Sequence, residues 1–197
     1  MITVSIKHNI DEVVRRLQAD VPKAVEAAQI SAINKTADGA RTRMVRAISS
    51  TYKINQSVVR EKLFISRATR KGGATFTASL LGTGKRSMNV IRFLETRVTL
   101  AEARRRRKTG TLEQLRFQIL CAGGLKTIDG AFIANQGRTV FKRTGKARLP
   151  IEPIQTIDIP GMFRSRKNTG EVTSWINDNF SRIFERELKF YLGRYAK

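Results

Sequence analysis

The apolar residues between positions 21 and 50 recur at intervals of three and four, a spacing that predicts one long amphipathic helix. Pro22 stands where such a helix begins. Gly39 weakens the helix by roughly 1 kcal/mol without ending it. Most members of the stripe are small, so another helix or a sheet can approach closely. The stripe consists of Val21, Val25, Ala28, Ala32, Ile33, Ala37, Ala40, Met44, Ala47 and Ile48.

A second, wider apolar stripe lies near the C-terminus and predicts an amphipathic helix there. Ser174 is the candidate N-cap of this helix. We expect the aromatic residues of the stripe to form core or subunit contacts and not a ligand pocket. The stripe contains Ile176, Phe180, Ile183, Phe184, Leu188, Tyr191, Leu192 and Tyr195.

Between about residues 65 and 160 the pattern changes to short alternating runs separated by glycines, which is typical of antiparallel strands. The predicted strands are 74–80, 91–93, 97–100, 115–120, 131–134 and 139–141, with an extended segment at 151–158 between prolines. Residues 2–6 predict a further strand. A short helix carries Val58, Val59, Leu63 and Phe64.

These elements predict an α+β fold with long N-terminal helices, a mainly antiparallel β-sheet in the middle and a C-terminal amphipathic helix. A length of 197 residues fits one domain, so we expect residues 1–197 to form a single structural domain. No run approaches 18 apolar residues and the N-terminus lacks the features of a secretory signal, so we expect no membrane partner. We expect the chain to be kept, or assembled into a larger structure, in the cytoplasm.

Positive charge dominates the composition: 38 Lys and Arg stand against 16 Asp and Glu, a net charge of +22. A compact body with this excess repels itself, so we expect it to lie against a polyanion or acidic neighbours. The largest share of the excess falls in residues 51–110, where Arg104, Arg105, Arg106, Arg107 and Lys108 form one run. Five adjacent like charges cannot be buried, which predicts an exposed basic loop near 101–112. That loop is either a solvated surface without a specific role or a contact for phosphates.

Lys85 and Arg86 form a smaller basic pair in a glycine-containing stretch. The stretch fails the phosphate-loop pattern twice, because Ser79 stands where the first glycine belongs and Arg86 where Ser or Thr belongs. We interpret it as a basic turn, which joins the run at 104–108 as a candidate contact for DNA or an acidic partner.

The composition argues against catalysis. One histidine, His8, and one cysteine, Cys121, cannot supply a zinc site or a histidine-dependent triad. The scattered carboxylates lack a magnesium-binding motif. No zinc-finger spacing, basic leucine zipper or RNP-like strand indicates sequence-specific binding of nucleic acid. We therefore expect no enzyme activity, no metal and no cofactor.

Three late stretches of the chain resemble the minor tail protein Z family of tailed bacteriophages and prophages. They are residues 129–135, Gly137–Arg143 and Leu149–Ile151; the Ala/Ile-rich residues 32–37 and the Arg104–Lys108 run are also similar to that family. The resemblance extends over roughly residues 15–190 and is strongest at 129–163. It implies a virion structural protein, assembled in the host cytoplasm, that acts in tail completion or in the neck at the head-proximal end of the tail. It also implies homo-oligomeric rings around the DNA channel.

Two hypotheses remain open at this point. In the first, the chain forms such a ring with other phage neck and tail proteins as neighbours. Its cationic residues then face double-stranded phage DNA or an acidic partner. In the second, it is a non-specific cytoplasmic nucleic-acid-binding protein. In either case we expect Phe132 and Phe141 to anchor the sheet and to bind no ligand.

Overall fold

Two helices of equal length form the frame of the molecule. The computed structural model describes residues 4–5, 22–70, 76–84, 87–95 and 115–195. Helix α1, Pro22–Thr51, confirms the helix predicted from the first stripe. The C-terminal helix, Arg166–Tyr195 and here called α4, packs along it. Ser31 contacts Glu187 and Thr51 contacts Asn168, so the two helices run in opposite directions.

The contact between α1 and α4 uses the two predicted stripes. Gly39 lies beneath the indole ring of Trp175, which a Cβ atom at position 39 would overlap. Small residues on α1 thus allow aromatic residues on α4 to reach the helix backbone, and burial of this apolar surface stabilises the pair. The shared core contains Val25, Ala28, Ala32, Ile33, Ala37, Phe180, Phe184 and Leu188.

A first antiparallel sheet lies next to the helix pair. It contains β1 (Val4–Ser5), β2 (Leu63–Ser66) and β3 (Ser79–Gly82), in the order β1-β3-β2. The short helices α2 (Gln56–Glu61) and α3 (Ile159–Phe163) precede β2 and α4 respectively. Their apolar residues join one core with α1, in which Met44, Ile48, Leu63, Met162 and Phe163 are all fully buried.

The remaining strands form small antiparallel sheets around a second core. β4 (Met88–Asn89) pairs with β10 (Gln155–Thr156), and β5 (Arg116–Phe117) pairs with β6 (Lys126–Thr127). β7 (Ala131–Ala134), β8 (Thr139–Arg143) and β9 (Ile151–Pro153) form a three-stranded sheet with β8 in the centre. Val90, Phe117 and Val140 are the buried residues of this core. Residues 87–95 and 115–156 together are called the strand region below.

The α+β prediction is confirmed, although the central strands form several small sheets and not one. Leu63 and Phe64, predicted on a helix, lie on β2, and alternation along that strand leaves Phe64 50% exposed. Residues 91–93, predicted as a strand, belong to a 3₁₀ helix, Val90–Phe93, because the Asn89 side chain accepts a hydrogen bond from the Ile91 N–H.

The C-terminal helix begins at Arg166, well before the predicted cap Ser174. Asn168 and Val172 are buried, so packing draws these residues into the helix although the local sequence is polar. The expectation for Phe132 and Phe141 is also wrong in part. Both are half-buried and belong to none of the core clusters. Val140, which precedes Phe141 on β8, is fully buried instead.

The strand predicted at 97–100 lies outside the described residues. The extent of the single domain, residues 1–197, stays a prediction. For the described part of the chain, no helix has the length and apolar character needed to cross a bilayer.

Candidate functional site

The residues predicted to contact DNA or an acidic partner fall outside the part of the chain that the structure describes. Arg104, Arg105, Arg106, Arg107 and Lys108 lie within 96–114, and Lys85 and Arg86 form the gap at 85–86. Their flanking residues are described, and these show from which part of the fold each basic stretch departs.

Residues 96–114 leave the strand region and return to it at one place. The Glu95 N–H donates a hydrogen bond of 3.0 Å to the Arg116 carbonyl oxygen. The Gln118 N–H donates one of 2.9 Å to the Phe93 carbonyl oxygen, and Leu94 forms a β-bridge with Phe117. The residues that flank this segment on its two sides, 93–95 and 116–118, are therefore joined by backbone hydrogen bonds.

The smaller basic pair, Lys85 and Arg86, directly precedes residues 87–95, whose other end leads into residues 96–114. Before it, the Thr83 N–H donates to the Lys62 carbonyl oxygen at 2.7 Å, and Gly84 packs so closely on Pro160 that a Cβ would lie 2.9 Å from the proline Cδ. After it, Ser87 is exposed and leads into β4. Residues 87–95 thus have one predicted basic stretch at each end.

Asn89 fixes this segment to the central strand of the three-stranded sheet. Its Oδ1 accepts a hydrogen bond of 3.0 Å from the Val140 N–H, and its Nδ2 donates one of 3.1 Å to the Val140 carbonyl oxygen. Val90 and Phe93 on the same segment are buried. The base from which both basic stretches leave is thus held by side-chain hydrogen bonds and by the core.

The strand region also exposes cationic side chains that the sequence analysis did not select. Within the described residues, none of them has an ion-pair partner. The sequence analysis missed them because they are spread over several strands and loops and do not form a run. In the sequence, most of them recur around Gly137 and Gly145. They are Arg92, Arg116, Lys126, Arg138, Lys142, Arg143, Lys146 and Arg148.

Two arginines beside α1, by contrast, already have partners. Arg67 pairs with Asp38 at 3.0 Å and Arg70 with Glu26 at 3.6 Å. A groove of about 490 Å³ beside α1 is lined by these two arginines and by Asp38 among others. Because its arginines are ion-paired, this groove offers less free positive charge than the strand region does.

Glu187 is the one buried carboxylate among the described residues, and it joins α4 to α1. Lys35 donates to its Oε2 at 2.6 Å and Ser31 donates to the same oxygen at 2.8 Å. Burial raises the pKa of the Glu187 carboxyl, but hydrogen bonds from Lys35, Ser31 and Arg186 and the positive charge of Lys35 outweigh it. Its pKa therefore lies below the ordinary value of 4.5. This cluster stabilises the helix pair and holds its carboxylate away from solvent.

No group of three His, Cys, Asp or Glu side chains that could hold a metal ion occurs among the described residues. What the strand region presents instead is a set of exposed guanidinium and ammonium groups. Such groups can neutralise phosphates or pair with carboxylates of another molecule.

Comparison with known families identifies the chain. The sequence model of the prophage minor tail protein Z family matches residues 8–197. The chain belongs to this family. The resemblance seen over roughly residues 15–190 is thereby confirmed, and the match covers nearly the whole chain. No match was found among curated proteins or among solved structures.

Membership gives the chain a structural role in a phage tail and makes other tail or virion proteins its neighbours. For a minor tail protein, exposed cations without internal partners on one region of the surface are candidate contacts with those neighbours or with the genome. The geometry adds that residues 87–95, which lie between the two predicted basic stretches in the chain, and the cations of β8 belong to the same region.

Proposed function

We propose that this minor tail protein completes the tail at its head-proximal end, in or next to the neck. Copies of the chain form a homo-oligomeric ring around the DNA channel, help to join tail to head and position the DNA. The role is structural and not catalytic. In this arrangement the strand region and the basic residues 85–86 and 104–108 face double-stranded DNA or an acidic neighbouring protein.

One observation carries the proposal: the strand region exposes cations that have no ion-pair partner among the described residues, and the Arg104–Lys108 segment departs from that region. A ring brings many chains of net charge +22 together. Their mutual repulsion requires negative charge close by, which DNA in the channel or acidic rings above and below would supply. The family supports a tail location for such a ring.

Electron microscopy of intact particles labelled with an antibody against the chain tests the location. We expect label at the head–tail junction or on the upper tail. Label confined to the distal tail, or particles that carry none, would contradict the proposal.

The same unpaired cations support the alternative of a non-specific nucleic-acid-binding protein that acts free in the cytoplasm. Binding of the isolated chain to a DNA duplex, measured at several salt concentrations, separates the two. A stable monomer with a steep loss of affinity in salt favours the alternative, whereas weak binding together with self-assembly favours the ring. Since a ring protein can also bind DNA, the antibody label in particles has priority over the affinity.

A further inference from the structure

The three-stranded sheet β7-β8-β9 has an apolar outer face. Side chains alternate along β8, and Val140 points into the small core. The neighbouring Phe141 therefore faces outward, opposite Phe132 on β7 and opposite Pro153 on β9. The two phenylalanine rings stack with their centroids 6.2 Å apart and their planes at 27°. Phe132, Phe141, Ile151 and Pro153 are called the outer sheet face below.

Nothing in the described core covers this face. Phe132, Phe141 and Ile151 are each half-buried and belong to none of the three core clusters. Leu149, just before β9, is 66% exposed. Pro153 is exposed as well, and contiguous apolar side chains that remain partly or fully exposed are uncommon on a protein that works alone and mark interaction surfaces.

One cationic group contacts the outer sheet face, and two more belong to the adjacent loop. The guanidinium carbon of Arg143 lies 4.9 Å from the centre of the Phe132 ring. Lys146 and Arg148 lie in the exposed loop between β8 and β9. This loop closes on itself, because the backbone N–H and the hydroxyl of Thr144 both contact the Pro150 carbonyl oxygen, at 3.4 and 3.3 Å. The loop that carries Lys146 and Arg148 therefore starts and ends next to the outer sheet face.

We propose that the outer sheet face docks an acidic segment of another virion protein. In the complex, apolar side chains of that segment lie on Phe132 and Phe141, while its Asp and Glu residues pair with Arg143, Lys146 and Arg148. An aromatic centre with an arginine beside it and charges around it is the usual composition of a protein interface. The inference rests on the proposed function for the identity of the partner as a virion component.

Charge and hydrophobicity together select this partner. The backbone of a DNA duplex offers phosphates to the cations but no apolar group to two stacked phenylalanines. If a second copy of the chain docked its own outer sheet face on this one, cations would lie opposite cations. Contacts between like charges are unfavourable. An acidic segment with apolar residues satisfies both parts of the surface.

Charge reversal tests the contribution of the loop cations. The variant R143E/K146E/R148E changes three exposed residues beside the outer sheet face. The control R182E/K189E/R194E changes three exposed residues of α4 and alters the net charge equally. We expect incorporation of the first variant into particles, measured by quantitative immunoblot, to fall about tenfold or more. The control should stay within about twofold of the unchanged chain, and circular dichroism checks that both variants fold. Equal incorporation of the two variants would overturn the proposal.

Photo-cross-linking in intact particles identifies what lies on the face. The change Leu149→p-benzoylphenylalanine places the reactive group beside it, and the same change at Phe190, which is 60% exposed on α4, serves as control. We expect the label at 149 to link to an acidic segment of a different virion protein, and the label at 190 not to link to that segment. Linkage at 149 to DNA, to another copy of the chain or to nothing overturns the inference and leaves the proposed function intact. Particles without the chain overturn both.

Discussion

The side-chain amide of Asn89 pairs with the backbone of Val140 as one peptide group pairs with another, although 51 positions separate the two residues. Both hydrogen-bonding groups of Val140 are used in this way, at the one fully buried position of β8. The contact connects residues 87–95, which have one predicted basic stretch at each end, to the central strand of the sheet that carries the outer sheet face.

Removal of this amide should destabilise the protein. Asn89→Ala leaves the Val140 N–H without its partner in a buried setting, while the Val140 carbonyl oxygen keeps only its hydrogen bond from the Ile154 N–H. We therefore expect the free energy of unfolding to fall by about 1–3 kcal/mol. Urea denaturation followed by circular dichroism measures the change. Asn177→Ala, an exposed asparagine on α4, is the control and should change it by less than about 0.5 kcal/mol. Equal effects at the two positions would show that the Asn89–Val140 contact contributes little.

Gly39 should not tolerate a methyl group. An added Cβ would overlap the Trp175 ring, so Gly39→Ala forces the Trp175 side chain or the helix backbone to shift. We expect a net loss of about 1–3 kcal/mol in the free energy of unfolding, even though alanine is the better helix former. Gly170→Ala on α4 is the matched control, because its Cβ would meet no atom within 4 Å. That change should raise stability by up to about 1 kcal/mol. A stabilising effect at both positions would contradict the close packing of Trp175 on Gly39.

Acid should weaken the contact between α1 and α4 through Glu187. Its pKa is lowered in the folded protein, so the carboxylate stabilises the fold above its ordinary value of 4.5, and this contribution is lost as pH falls below that value. Glu187→Gln should lower the free energy of unfolding at pH 7, and its difference from the unchanged protein should shrink as the solution becomes acidic. Urea denaturation between pH 7 and pH 3 measures this. Glu185→Gln retains Glu187 and serves as the control for net charge. A difference that stays constant with pH would exclude this role of Glu187.

The basic run should be dispensable for folding. Changing Arg104 through Arg107 to serine removes four cations that cannot be buried together, so the melting temperature should shift by no more than about 2 °C. Differential scanning calorimetry of the purified variant checks this. Failure to obtain folded protein would show that the run packs inside the molecule.

The long helices could be predicted because burial repeats at every turn of α1, but the sequence left open whether a helix or a sheet covers its small residues. The start of α4 could not be predicted, because Asn168 is buried by tertiary contacts that its polar neighbours do not reveal. Phe132 and Phe141 show the same limit in the strands: alternation identifies two faces but does not tell which one the core occupies. Among the candidate contacts, a run such as Arg104–Lys108 is visible in the sequence, whereas the grouping of Arg143 with Phe132 depends on strand pairing.

The central claim is that the unpaired cations of the strand region meet negative charge in the assembled particle. A cryo-electron microscopy reconstruction of the head–tail junction tests it most directly. The account predicts a ring of this chain there, with residues 87–95, 115–156 and the basic run turned toward the DNA channel or an acidic neighbouring ring. A junction without the chain, or a ring in which those residues face open solvent or other cationic surfaces, would contradict it.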